Sequence, residues 1–380
     1  MKKIVTITNI KNESDIIESF CRYNLTYCDC MLVYENNRSK DNTREIIQKL
    51  IDEGLPIFFA DEVEVKRYVH AKPAITKLAV SKYDADLVIP LDADEFLTHT
   101  SGINPRDVLE SLHEDVEYQA PWRTYVYEKD PDIGLGFLPN NFSHYRNPAL
   151  DVLNKAIASK ALINEKQACF IPGAHFLEYP YEYQGSIPIE VHPELRFSHF
   201  PIRSKTQLLT KVIPNWICKW REPFPVRGGD GFQLGDVWDE LKENGDISHE
   251  YIKWHSLRYS VPECRWGKHG ENRSFTEILP EIEDCLTIEG RMGTAFCEDK
   301  LKLRYTDYGE MEKTLMRSTL TEYELSLASL PKREWETIRM VDDLKNQIDE
   351  LNRHIEEVYN SRTWKFGKRL QKVYRFIVPW

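Results

Sequence analysis

Residues 87–96 read Leu-Val-Ile-Pro-Leu-Asp-Ala-Asp-Glu-Phe, a short apolar run that stops at three carboxylates, Asp92, Asp94 and Glu95. A run of this length and composition predicts a buried strand. Its end predicts a polar site at the edge of a core. Carboxylate oxygens are hard ligands suited to Mg²⁺ or Mn²⁺, and a cation held by one or two side chains keeps positions open for phosphate oxygens. The plainer reading is an acidic loop after a strand, but the apolar run before the acids and Phe96 after them favour a site.

Working outward from this stretch, the chain alternates strand and helix patterns. Strands are predicted at Ile4–Ile10, Met31–Tyr34, Pro56–Ala60 and Asp86–Leu91, with helices near Ser14–Tyr23, Thr43–Asp52 and Pro73–Tyr83. Pro73 suits a first helical turn, and Gly54 suits a left-handed cap after the second helix. Such alternation predicts right-handed βαβ units and an α/β fold, a mainly parallel sheet sandwiched by helices. Pro90 conflicts with a central strand because it cannot donate to a ladder, and we read it as the point where pairing loosens before Asp92.

In open parallel sheets, ligands bind at the carboxyl ends of the strands where strand order reverses. The polar clusters fall at those ends: Asn9 to Glu13, Glu35 to Thr43, and Asp92 to Glu95. The three loops are therefore expected to meet in one crevice, although Asn12, Ser14, Asp41 and Asn42 are also ordinary helix-capping residues.

Composition narrows the class. The chain has 380 residues, 41% of them apolar, enough for a sizeable core, and a formal charge of −11 that argues against a nucleic-acid binder. Eight cysteines without paired two-residue spacing predict free thiols in a reducing cytosol rather than a zinc site. The Met1-Lys2-Lys3 start leads into a strand pattern instead of a signal peptide.

Three motifs in series, Lys11-Asn12-Glu13, Asn36-Asn37-Arg38-Ser39-Lys40-Asp41-Asn42-Thr43 and Asp92-Ala93-Asp94-Glu95-Phe96, resemble those of family 2-like glycosyltransferases with the GT-A fold. His199-Phe200-Pro201-Ile202-Arg203-Ser204 is similar to a signature of a bacterial branch of those enzymes. The resemblance covers residues 1–215. It implies inverting sugar transfer from a nucleotide-diphosphate donor, uridine or thymidine favoured, to a glycan or lipid-linked glycan acceptor in surface polysaccharide synthesis. It also implies that Asn12, Glu13, Asn36, Asn37, Asp41, Lys77, Asp92, Glu95 and Arg203 contact the donor, with Asp92, Asp94 and His199 as metal ligands. An imidazole among oxygen ligands favours Mn²⁺ over Mg²⁺. Asn36 and Asn37 stand where many members carry an acid, and an amide both donates and accepts, which leaves the nucleobase open.

A departing diphosphate needs a cation, and the acceptor hydroxyl needs a base. His175, Glu190 and Asp151 are candidates for that base, and Lys155 and Lys160 for phosphate contact. Two other readings stand beside the transferase: a non-catalytic carbohydrate or nucleotide-binding scaffold, and a nucleotidyltransferase.

Residues 216–335 predict a helical and irregular extension on the acceptor side; its stretch 227–231 lacks the Lys-Ser/Thr of a phosphate-binding loop. Within a helix over 336–360, Val341, Leu344, Ile348, Leu351, Ile355 and Val358 form a short heptad seam that predicts a parallel homodimer, with packing on the protein's own domain as the alternative. The tail 361–380 interleaves six basic residues with Trp364, Phe366, Leu370, Val373, Phe376, Ile377 and Trp380. This pattern predicts contact with an anionic membrane at the inner face of the cell membrane, with docking on the acidic body as the alternative.

Overall fold

The computed structural model describes residues 1–35, 39–63, 71–132, 136–151, 153–219, 232–261, 265–266, 272–273 and 285–328. Asn36, Asn37, the stretch 227–231, the seam 341–358 and the tail 361–380 lie outside the described residues. The chain divides into two compact units, Met1–Gln207 with Lys253–Thr314, and Leu208–Ile252 with Leu315–Trp380. The first unit thus takes in residues that the sequence alone assigns to the 216–335 extension. Arg146 explains part of this, donating to the carbonyls of Leu257 and Tyr259 at 3.3 and 2.6 Å. A strand Thr287–Glu289 also pairs antiparallel with His144–Arg146.

The first unit is mixed α/β. Its strands begin with β1 (Ile4–Ile10), β2 (Cys30–Glu35), β3 (Ile57–Phe59), β4 (Leu87–Asp92), β5 (Glu95–His99) and β6 (Glu117–Thr124). They continue with β7 (His144–Arg146), β8 (Asn154–Ser159), β9 (Cys169–Phe170), β10 (Leu177–Glu178), β11 (Ile189–Val191) and β12 (Leu195–His199). The main sheet has the order β3-β2-β1-β4-β8-β6-β12-β5, with β11 also on β6. Pairing among β1–β4 is parallel throughout; β8 runs antiparallel to β4 and β6, and β5 antiparallel to β12. The α/β class, a mainly parallel sheet flanked by helices, is the one expected.

Helices α1 (Ile17–Asn24), α2 (Thr43–Asp52) and α3 (Ala71–Ser81) connect the parallel strands. Alternate residues feed two cores. Ile4, Ile10, Met31, Val33, Ile89 and Leu91 pack with Phe20, Ile46, Ile47 and Leu50 of α1 and α2. Val5, Ile7, Leu32 and Val88 pack on the other face with Ala71, Ile75 and Ala79 of α3. Each buried Ile or Leu contributes about 1.5–3 kcal/mol, and a one-residue slip would exchange the side chains of two cores that are packed against different helices. Gly54 takes φ +89 just after α2, the left-handed cap that its position predicts.

In the second unit the described residues are helical apart from the link 245–248. Trp216 stacks on Trp238 with ring centroids 6.2 Å apart, and a Cβ at Gly235 would meet the Trp216 ring at 3.3 Å. Among the described residues no helix is long and apolar enough to cross a membrane.

Candidate active site

Strand order reverses at β1, which has β2 on one side and β4 on the other. Ile10 pairs with Glu35 and Asn9 with Asp92, so the loops after β1, β2 and β4 leave the sheet side by side. The first two are tied together: Asn12 N–H donates to Ser39 Oγ at 3.2 Å, and Lys40 N–H to Asn12 Oδ1 at 2.7 Å. Glu13 N–H donates to Thr43 Oγ1 and Ser14 N–H to Asp41 Oδ2, each at 2.9 Å. Asp41 also accepts from Thr43, so its carboxylate braces two loops, and burial raises its pKa. Asn12 sits at φ +58, a left-handed turn that asparagine tolerates.

Pro90 has a specific consequence for the third loop. The ladder from β4 to β8 ends at Val88, while that to β1 continues to Asp92. Beyond Val88, β8 pairs with β6 alone, Lys155 opposite Ala120. Lys155, fully buried, donates to Asp92 Oδ2 at 2.6 Å and lies 3.0 Å from Glu95 Oε2. Lys72, in the first turn of α3, reaches Asp92 Oδ1 at 2.8 Å. Desolvation alone would raise the Asp92 pKa, yet the Lys155 and Lys72 ammonium groups outweigh it and hold the carboxyl well below the usual range. Burial acts against Lys155 too, but Asp92 and Glu95 push it upward, whereas Lys72 is lowered by its burial.

Glu95 is fully buried, and burial raises it to about 7. It accepts from Trp122 Nε1 at 2.8 Å and from the Asp92 backbone N–H at 2.9 Å. Trp122 also packs on His199, ring centroids 4.2 Å apart, and on His175 at 5.4 Å. Asp94 is buried and its Oδ1 lies 3.8 Å from His199 Nε2.

Arg203, expected to meet a diphosphate, is engaged by three carboxylates. It is 1% exposed and forks onto Asp15 at 2.7 and 2.9 Å, with Glu13 at 2.7 Å and Asp94 at 3.7 Å. It therefore fastens the β1 loop to the β4 loop from beneath. Phe200 of the same motif stacks on Tyr125, centroids 4.5 Å apart, and Ser204 accepts from Gln207 N–H in the first turn of the helix Lys205–Lys219.

The three candidate bases separate. Asp151 accepts from Thr124 N–H at 3.0 Å and Thr124 Oγ1 at 2.7 Å, and from Arg146 Nε at 2.7 Å, so this buried carboxylate is engaged by its own neighbours. Glu190 is exposed on β11 opposite Tyr118, about 20 Å along β6 from Thr124 at the site end. His175 does lie at the site, its Nδ1 2.8 Å from the Asn154 carbonyl. A carbonyl only accepts, so Nδ1 carries the proton and Nε2 the lone pair. Burial, with Lys155 adding to it, lowers His175 to about 4, keeping the ring neutral near pH 7.

The lysines divide similarly. Lys77 is exposed, five residues and about 7.5 Å along α3 from Lys72. Lys160 pairs with Asp84 at the opposite end of the sheet, beside a cleft of about 530 Å³ that Asp86 and Ser159 also line. Lys72 and Asp15 went unnoticed in the sequence. Lys72 had a signal: it precedes the first-turn Pro73 of a helix that must begin at the strand ends.

A divalent cation fits part of the expected ligand set. Asp94 Oδ1 and His199 Nε2, 3.8 Å apart, can be bridged by an ion with bonds of roughly 2.1 Å. Asp92 stands apart from that pair, since Lys72 and Lys155 engage both of its oxygens. Among the described residues no three His, Cys, Asp or Glu side chains gather to hold a metal.

No family model and no curated protein matches the chain. Similar solved structures include Staphylococcus aureus TarS residues 1–349, 11% identical, covering 68% of this chain and 72% of that one, with a TM-score of 0.30. A mycobacterial protein is 15% identical over 52% of this chain and 66% of that one, TM-score 0.31. Glucosyl-3-phosphoglycerate synthase from Mycobacterium tuberculosis, solved with Mg²⁺ and uridine diphosphate, is 16% identical over 50% of this chain and 68% of that one, TM-score 0.31.

Proposed function

We propose that this chain is a glycosyltransferase that takes a sugar from a nucleotide-diphosphate donor, with uridine or thymidine as the nucleoside, and uses a divalent cation. The observation that carries the reading is the meeting, at the strand-order reversal, of Asp92 and Asp94 with Lys72, Lys155, His175 and His199. A pure binder has no need of such a set around a leaving group.

In this reading Asp94 and His199 would hold the cation, which would supply stabilisation of negative charge on a diphosphate leaving group. The tied loops Asn12–Glu13 and Ser39–Thr43 face the nucleoside side, and Arg203 keeps them in register with Asp94. Lys155 fixes Glu95, and Glu95 fixes both Trp122 and the Asp92 backbone. His175 receives the acceptor proton on Nε2, since Nδ1 is already committed to the Asn154 carbonyl. The acceptor is a hydroxyl of a glycan or lipid-linked glycan.

The test is a screen of nucleotide sugars with purified protein and Mn²⁺ or Mg²⁺, read by release of nucleoside diphosphate. Release that depends on the metal and disappears in Asp94→Ala is the expected result. Release of pyrophosphate from a nucleoside triphosphate would replace the transferase with a nucleotidyltransferase.

A further inference from the structure

Lys72 and Lys155 together hold Asp92 in an arrangement more elaborate than a strand end requires. Each ammonium takes one carboxylate oxygen, at 2.8 and 2.6 Å. The lysine side chains are 8% and 0% exposed, but the Asp92 side chain between them is 42% exposed. The cations are thus fixed in the protein wall while the anion that neutralises them lies at its open edge. Lys155 has a second carboxylate in Glu95 at 3.0 Å, fully buried and held by Trp122 and the Asp92 backbone. Glu95 is locked in place; Asp92 is the exchangeable partner.

We propose that Lys72 and Lys155 form an anion seat that Asp92 occupies in the free protein and a diphosphate takes over on binding. The inference rests on reading this edge as the diphosphate site. A diphosphate carries more negative charge than one carboxylate and presents several oxygens to the same two donors, so it displaces Asp92 without leaving a buried ammonium unpaired. Asp92, released at the exposed edge, then stands on the chain two residues from Asp94. The added negative charge and the freed carboxylate both favour a divalent cation there. Diphosphate and cation should therefore bind with positive coupling, each raising the affinity for the other by the same factor.

The experiment uses calorimetric titration of the full chain with inorganic pyrophosphate, a chelator present, so that neither a nucleoside nor a metal enters the readout. Lys72→Met should weaken binding by about tenfold, and Asp92→Asn should strengthen it by about tenfold, as coupling of this kind commonly reaches. In the double variant the gain from Asp92→Asn should shrink, because one of the two cations it liberates is gone and only Lys155 remains. A general effect of removing one negative charge would leave that gain intact in the Lys72→Met background, and such a result overturns the exchange. Unchanged binding in Lys72→Met overturns it as well, and decides the matter alone if Asp92→Asn does not fold by thermal melting. If the binding pattern holds but no nucleotide sugar is turned over, the transferase reading fails and the anion seat stands. The reverse outcome sinks the seat and spares the transferase.

Discussion

Arg203 provides the sharpest test of how the site is built. Its guanidinium donates two hydrogen bonds to Asp15, a carboxylate 3% exposed, and one to Glu13, with Asp94 within 3.7 Å. Arg203→Met would keep much of the volume but strand at least one buried carboxylate without a cation. Breaking a buried pair in this way costs about 3–5 kcal/mol. For a unit of this size each kcal/mol moves the melting temperature by about 2–4 °C, so the variant should melt roughly 6–20 °C below the parent. Arg203→Lys keeps the charge and loses the two-pronged geometry, and should fall between them. Thermal scans with urea midpoints measure both. If Arg203→Met melts within 2 °C of the parent, on the order of a single kcal/mol, the buried brace is wrong. A weakened nucleotide affinity at unchanged stability would instead restore Arg203 to the diphosphate.

Three further expectations concern the same unit. Burial, with Arg258 adding to it, holds His255 at about 4, below the value near 6.5 of an unfolded chain. The unfolded state then takes up a proton that the folded state refuses, so stability falls as the pH drops from about 6.5 towards 4, by roughly 3 kcal/mol in full. Urea midpoints of His255→Leu should flatten over that range, and parallel curves for variant and parent would contradict the assignment. Trp122→Phe keeps an aromatic face for His199 but deletes the N–H that Glu95 receives, and should lose roughly 1.5–3 kcal/mol by urea unfolding. A Cβ on Gly293 would lie 2.7 Å from the Gly102 Cα, backbone that cannot yield, so Gly293→Ala should destabilise by about 1–3 kcal/mol; a neutral effect on melting would mean the two segments do not touch.

Much of the frame is local and was legible for that reason. Ile4–Ile10 and Thr43–Asp52 form with the same bounds that periodicity predicts, because β-branched alternation and an amphipathic stripe each suit one backbone geometry. The meeting of the three loops follows from parallel topology alone. The partners of the charged groups were harder to read. Asp92 stands between Lys72 and Lys155, 20 and 63 residues away, and Arg203 reaches back 188 residues to Asp15. Asp151, plausible as a base in the sequence, proves to be engaged by Arg146 and Thr124.

The stretch Leu87–Phe96 shows where the division lies. Its sequence determined a buried strand ending in carboxylates, since an apolar run and a break to acids are properties of neighbouring residues. Only the tertiary structure decided that Asp92 faces two ammonium groups, that Asp94 faces His199, and that Glu95 is sealed beneath Trp122. A carboxylate's role depends on which charges lie within a few ångströms and how much water is excluded, and both are set by segments far away in the chain.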